Sequence, residues 1–370
     1  MFSKGESKMN MEQANQQWAT RPNDERYLSL EELKTAVNRR KRESWTAITS
    51  AKDLRVMANG DRIGVDVLDP VYNGARQVLP THWAFGQLAA YAGAPAGYLR
   101  KLPAELAAIN LQWGLEHNPV REDSLVLGQA NGDNLLRSMT STSYGRIWDS
   151  QVVEAVEKVN HDGRWQIPAA SYKDADPRRA TTLYASDRDV FIFLVDPERP
   201  IEVGADILFR GFMAWNSEVG SAVFGLTTFL YRYVCDNRII WGATDVKELR
   251  IRHYGGAPER FAYEGERFLQ RYSGESTVQT VEMIWKAKQW ELPTTSVDKP
   301  ETRWEKWLRE RGFTAGQAKA SVQSAQAEEG EARSLWDIVN GATAYARQIP
   351  HTDERVKVEA VAGKLMQVVA

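Results

Sequence analysis

The sequence predicts an α+β fold: a central antiparallel-rich sheet with packed helices, followed by a mainly helical C-terminal region. Three observations lead there. Short apolar runs separated by turn residues crowd residues 122–254, as the strands of a sheet require. Helix-spaced apolar residues precede them between Trp83 and Trp113. Near Pro258 the apolar spacing changes from period two to the helical repeat and stays helical from there on. The chain accordingly divides into a disordered leader over 1–28, an α+β core over 29–255 and a helical region over 256–370.

The leader is polar, short of aliphatics and rich in Gln, Asn, Lys and Glu, a composition that buries too little apolar surface to offset chain entropy. Ser29 then caps a helix with Glu32 as its reciprocal partner, and the helix runs into Arg39-Arg40-Lys41-Arg42. Cations at that end complement the exposed carbonyls, and the same tetrad is suited to phosphate. Leu54 and Val56, then Ile63, Val65 and Val67, alternate around Asn59-Gly60-Asp61 as a β-hairpin does. Helices follow from Trp83 to Tyr91, after Pro95, and after Pro103 as far as Trp113. Candidate strands are 124–128, 135–143, 165–172, 179–185, 190–195 and 207–215, with a helix over Gln151–Asn160 among them. After a turn at Asn216–Gly220, the run from Phe224 sets Leu226, Phe229, Leu230 and Tyr233 on one helical face, so a strand passing into a helix is expected. Beyond Pro258, Pro300 starts a helix bearing Trp304, Trp307 and Leu308. Glu329-Gly330-Glu331 interrupts, a helix runs through Leu335 to Val339, and a last one covers Glu354–Val368.

Composition narrows the function classes. The chain carries 47 basic and 49 acidic residues, a formal net charge of −2, which argues against a strongly cationic nucleic-acid coat while leaving room for a local basic groove. Cys235 is the single cysteine, so no intrachain disulfide forms and a reducing cytoplasm is expected. With five scattered histidines beside it, no zinc site or other metal is expected, and no cofactor. Cys235 lies in an apolar-aromatic run, where a buried, inert thiol is the expectation. No apolar run reaches the ~20 residues that span a bilayer, so no membrane partner is expected. Glycine-rich phosphate loops, hydrolase elbows and metalloprotease or deaminase signatures are missing from the sequence. Thirteen tryptophans suit cores, interfaces and base stacking alike.

Three segments interleave arginine with aromatic residues, the pairing that single-stranded nucleic acid calls for: guanidinium for phosphate, ring faces for bases. The first holds Arg137, Tyr144, Arg146 and Trp148, the second Arg210, Phe212 and Trp215, and the third Arg232 and Tyr233. The competing account is a set of strands whose aromatics face the core and whose arginines pair with acids such as Asp149 or Glu218.

Asn216-Ser-Glu-Val-Gly220 followed by Leu230-Tyr-Arg-Tyr-Val-Cys235-Asp-Asn237 resembles the central signature of a phage- and plasmid-borne family known as domain of unknown function 932. The stretches Gln87–Leu99, Arg137–Tyr144 and Leu335–Tyr345 are similar to it as well, so the likeness covers about residues 50–350. Arg238 follows Asn237 where the family commonly has glycine or histidine. The resemblance implies residence on a mobile element and supplies no catalytic residues.

Three functions follow as expectations. The first is non-catalytic nucleic-acid binding, with single-stranded DNA bound or annealed in replication or recombination and Arg146, Arg210 and Arg232 on one shared surface. The second is a protein-interaction factor acting on a host defence or replication protein. The third is an enzyme without a recognisable motif. A homo-oligomer joined through the helical tail accompanies the first.

Overall fold

The structure, a computed structural model, describes residues 21–69, 74–117, 119–168, 181–204, 206–232, 239–241, 248–293, 299–330, 332–349 and, near the C-terminus, 358, 361–362 and 364–369. Two sheets carry the core region. The first strand, β1 (Arg26–Tyr27), lies inside the segment expected to be leader. There Arg21 bridges Glu25 at 2.7 Å and Asp189 at 2.6 Å, so residues 21–28 belong to the fold. Helix α1 (Leu30–Glu43) starts as expected: Ser29 Oγ accepts from Glu32 N–H, and Glu32 Oε2 accepts from Leu28 N–H.

The chain then builds a six-stranded sheet in the order β2-β6-β7-β5-β4-β3. Its strands are β2 (Ser44–Ser50), β3 (Arg55–Asn59), β4 (Arg62–Asp69), β5 (Gly74–Pro80), β6 (Asp123–Asn131) and β7 (Asp133–Thr140). All neighbours are antiparallel except β5 and β7. The expected hairpin closes with Asn59 opposite Arg62, and Gly60 supplies the positive φ of 62° that this two-residue turn demands. Helices α2 (His82–Tyr91), α3 (Ala96–Leu99) and α4 (Ala104–His117) cover one face, with Leu88, Leu111 and Leu115 packed on Val65, Val126 and Leu136.

Helix α5 (Asp149–Val159) leads to a seven-stranded sheet ordered β1-β8-β9-β10-β11-β12, with β13 also on β11. These strands are β8 (Leu183–Ala185), β9 (Val190–Val203), β10 (Asp206–Asn216), β11 (Phe224–Arg232), β12 (Ile239–Trp241) and β13 (Glu248–Ile251). Both faces are buried, so β9 and β10 read as near-continuous apolar runs. Val190, Ile192 and Leu194 face α1 and α5, whereas Phe191, Phe193 and Val195 face an aromatic layer with Trp215 and Phe229. The helix expected towards Val234 does not form within β11, which stays strand to Arg232 because it pairs with β10 on one side and β12 and β13 on the other. Its helical spacing was an accident of a strand buried on both faces. Of the strand expected over 165–172, residues 165–168 are described, and they form a single bridge, Gln166 to Val195. The remainder of that expected strand, and the start of the one placed at 179, lie outside the described residues.

From Ala257 onward the described elements are helical: α6 (Ala257–Arg260), a π turn over Phe261–Gly265, α7 (Glu266–Gly274), α8 (Val278–Gln289), α9 (Pro300–Glu310), α10 (Ala315–Glu329) and α11 (Leu335–Gln348). Trp304, Trp307 and Trp336 build a second core against Ile201, Val203 and Leu208, at the far end of β9 and β10. Asp206 fastens it by accepting from Trp336 Nε1 at 2.7 Å and pairing with Lys288 Nζ at 2.6 Å. Among the described residues no helix is long and apolar enough to cross a membrane.

Three glycines sit directly opposite large aromatics: Gly128 across from Trp45, Gly211 across from Phe229 and Gly225 across from Trp215. A Cβ at Gly225 would enter the Trp215 ring, which is itself 1% exposed and has nowhere to move. Gly225→Ala should therefore destabilise the protein by about 1–3 kcal/mol through overpacking. Urea unfolding checks this, and a midpoint equal to that of the parent would refute the packing argument.

Candidate functional site

The junction of the two sheets is polar and is organised around the turn between β10 and β11. Gly220, at a φ of 82°, lets the chain reverse there. Ser217 Oγ accepts from Val219 N–H and Ser221 N–H and donates to Arg188 O at 2.7 Å, which makes it a turn-former. Reversal leaves three successive carbonyls pointing outwards, and each is taken by a side chain from elsewhere. Tyr144 Oη donates to Ser217 O at 2.8 Å, and Arg146 Nε to Glu218 O at 2.9 Å. Trp83 Nε1 and Gln87 Nε2 donate to Val219 O at 3.0 and 2.9 Å. Gln87 Oε1 then accepts from Met139 N–H, tying α2, β7 and the turn together.

The side chains of the same turn hold the start of α5. Glu218 Oε1 accepts from Asp149 N–H at 3.0 Å, and Glu218 Oε2 lies 2.8 Å from Arg137 Nη2, with both partners 1% exposed. Asn216 Nδ2 donates to Ile147 O at 2.9 Å and to Asp149 Oδ1 at 2.8 Å. Arg40, from the basic tetrad, approaches Asp149 Oδ2 at 3.6 Å. Two carboxylates thus share the junction with three arginines, 40, 137 and 146. Burial, together with the nearby Glu218 charge, pushes the Asp149 carboxyl well above the usual range, against the pull of Arg40. Burial lowers the Arg146 guanidinium to about 10, still charged at neutral pH, and raises the Tyr144 hydroxyl.

A row of cations and rings rises from this buried set, sharing Arg146 with it. Lys41 Nζ, on an exposed side chain, lies 5.7 Å from the Trp148 ring. Arg146 sits 5.6 Å from Trp148 and 5.7 Å from Tyr144. Tyr144 stacks on His253 with centroids 5.0 Å apart. Trp148, Tyr144 and His253 are half-buried, and Arg39 and Arg42 are exposed at the same helix end as Lys41. His253 Nδ1 lies 3.1 Å from Gly145 O. Burial, and secondarily the Arg146 charge, lower the imidazole to about 4, so it is neutral at pH 7.

Of the residues singled out in the sequence, Arg137, Tyr144, Arg146 and Trp148 gather at this junction. The arginines at 137 and 146 are buried anchors there, 1% and 8% exposed, with only the rings and Lys41 reaching solvent. Arg210 is elsewhere: its guanidinium lies 4.0 Å from the Tyr272 ring centroid and donates to Tyr272 O and to Glu275 O. One surface common to Arg146 and Arg210 is therefore not formed. Phe212 is core, edge-on to Trp165 at 4.9 Å, and Trp215 packs in the aromatic layer on the opposite face. Arg232 ends β11 with its side chain outside the described residues, as are Tyr233 and Cys235. Asn216 is absent from the predicted site and Glu218 enters it only as an arginine partner, a pairing that Arg137 makes, although an acid inside a Ser/Asn/Gly turn between two apolar strands signals a buried polar turn. His253 carried no such signal. Among the described residues no three His, Cys, Asp or Glu side chains converge as metal ligands would.

The buried set predicts two responses. Glu218→Ala leaves the Arg137 guanidinium buried without its carboxylate and should cost about 3–5 kcal/mol, measured by urea unfolding. His253 gains its proton less readily in the folded state, so its contribution is present above pH 6.5 and is lost as pH falls towards 4. At ~1.4 kcal/mol per unit that loss approaches about 3 kcal/mol. His253→Phe keeps the stack on Tyr144 and removes the titration. Its stability relative to the parent should rise by that amount between pH 6.5 and 4, and a constant difference would contradict the assignment.

Compared with protein-family models, with curated proteins and with solved structures, the chain gives no match.

Proposed function

We propose that this protein binds single-stranded nucleic acid, without catalysis, along the row Lys41–Trp148–Arg146–Tyr144–His253. The observation that carries the proposal is the alternation of cations with half-exposed rings over that row. Trp148 offers a half-exposed ring to a base, with Tyr144 and His253 stacked beside it, while Lys41 and the exposed Arg39 and Arg42 offer charge to phosphates. The near-neutral net charge of −2 keeps the attraction local to this strip and away from the whole surface. On a phage- or plasmid-borne element, as the family resemblance implies, such a strip serves strand protection or annealing during replication or recombination.

Fluorescence anisotropy with a labelled oligo-dT of about 30 nucleotides tests the reading at several salt concentrations. Lys41→Ala should lower the salt dependence of binding by about 0.7. Trp148→Ala should weaken binding by about 1–3 kcal/mol if a base stacks there. Arg210→Ala, remote from the strip, should leave the affinity unchanged in protein that remains folded. No binding by the parent at low salt, or equal losses in Arg210→Ala and Trp148→Ala, would reject the proposal.

A further inference from the structure

A second surface, separate from the nucleic-acid strip, lies at the free edge of the six-stranded sheet. Strand β3 ends that sheet, so among the described residues its outer row of N–H and C=O groups has no neighbouring strand. Gln112 on α4 occupies part of the row. Its Oε1 accepts from Val56 N–H at 2.7 Å, and its Nε2 donates to Leu54 O at 3.3 Å. One amide therefore takes the donor and the acceptor that one residue of an added strand would take. Because Val56 N–H points away from β4, alternation directs Ala58 N–H outwards too. Val56 O and Ala58 N–H continue the row where Gln112 stops.

Beside this edge runs an apolar groove of about 470 Å³ between β3 and α4, floored by Val56, Met57 and Ala58 and walled by Ile109 and Trp113. Leu106, Ile109 and Trp113 follow one face of α4 at 49%, 63% and 60% exposure, a concentration of apolar surface that a solvated helix ordinarily avoids. The charged side chains lining the groove are both acidic, Glu105 in the first turn of α4 and Glu116 in the last. They stand roughly 16 Å apart along the helix axis. Glu116 accepts from Gln112 Nε2 at 2.7 Å and has Arg55 at 3.9 Å, while Glu105 has no ion-pair partner among the described residues.

We propose that this edge docks an extended segment of another protein, added to β3 as a further strand, with apolar side chains in the groove and lysine or arginine on either flank. Backbone bonds to β3 supply general affinity, and the groove and the two glutamates supply selection. Charge decides among occupants. A second copy would set Glu105 and Glu116 against their own counterparts, whereas a basic-flanked segment meets them with opposite charge. The protein-interaction alternative raised by the sequence finds a specific surface here, and the surface functions whether or not nucleic acid binds at the strip.

Anisotropy with the intact protein and labelled peptides KKVTVTVKK and EEVTVTVEE tests the proposal. The lysine-flanked peptide should bind at least about tenfold more tightly than its glutamate counterpart, a difference of ~1.4 kcal/mol. Ile109→Asp, a change at an exposed position, should abolish binding. Ala58→Pro removes only an outward N–H and should weaken binding about tenfold, and Glu105→Lys with Glu116→Lys should reverse the preference between the peptides. Equal binding of both peptides, no binding of either, or unchanged binding in Ala58→Pro would overturn it. So would a dimer seen by light scattering that Ile109→Asp dissolves, because the occupant would then be a second copy.

Discussion

Glu218 is the point on which the two sheets depend. Its carboxylate holds Arg137 from β7 and the first N–H of α5, and its carbonyl holds Arg146. The neighbouring carbonyls of Ser217 and Val219 hold Tyr144, Trp83 and Gln87. One five-residue turn thus answers donors from α2, β7, the loop after it and α5. An ion pair taken wholly out of water seldom gains stability over a well-packed apolar pair. What it enforces is registry, because a displaced turn would strand several buried donors at once, each at a cost of about 1–3 kcal/mol. The turn is therefore better understood as a positional lock than as a reservoir of stability.

The lock also shapes the surface above it. Arg146 is fixed by Glu218 O from below and faces Trp148 and Tyr144 on its flanks, so both rings are held at set distances from a buried cation. Rings preset in this way lose little freedom when something stacks on them. The Lys41 end of the strip is anchored differently, through α1, whose Arg40 reaches back to Asp149. The same helix end therefore contributes one half-buried arginine to the junction and three exposed cations to solvent. Distance along the chain gave no hint of this division of labour among four consecutive basic residues.

Much of the fold was legible because local rules and tertiary context agreed. The Ser29 cap, the Asn59–Arg62 hairpin and the Pro300 helix start are short-range features, and each formed where its residues indicated. Phe224–Arg232 is strand where a passage into helix is expected, because burial on both faces erases the period of two that separates strand from helix. Arg21 and β1 have the composition of a leader because their partners, Asp189 and β8, stand more than 150 residues away and nothing local announces them. For the site, proximity in sequence was a fair guide only within residues 137–148. Arginine beside aromatics has the same appearance whether the side chain caps a helix, as Arg210 does over Tyr272, or anchors a turn. The difference lies in what stands across the fold, and a single chain read in order does not contain it.

The long hairpin of β9 and β10 has a structural discontinuity of its own. Between the pair Asp196–Arg210 and the pair Ile201–Leu208, β9 advances five residues while β10 advances two. Pro197 and Pro200 fall in that excess, where no ladder donor is needed. Before it, the apolar side chains serve the core beneath α1 and α5; beyond it, Ile201, Val203 and Leu208 serve the tryptophan core of the C-terminal helices. The hairpin is thus one beam with a soft joint, each half bearing a different load. A fluctuation that detaches α8–α11 would carry the outer half of the beam with it and stop at the prolines, leaving the inner half, with Phe261, Leu269 and Tyr272 packed on it, and the sheet junction intact. Two cores built on a single pair of strands can in this way open separately, and backbone amide exchange along β9 would step from fast to slow at one fixed residue.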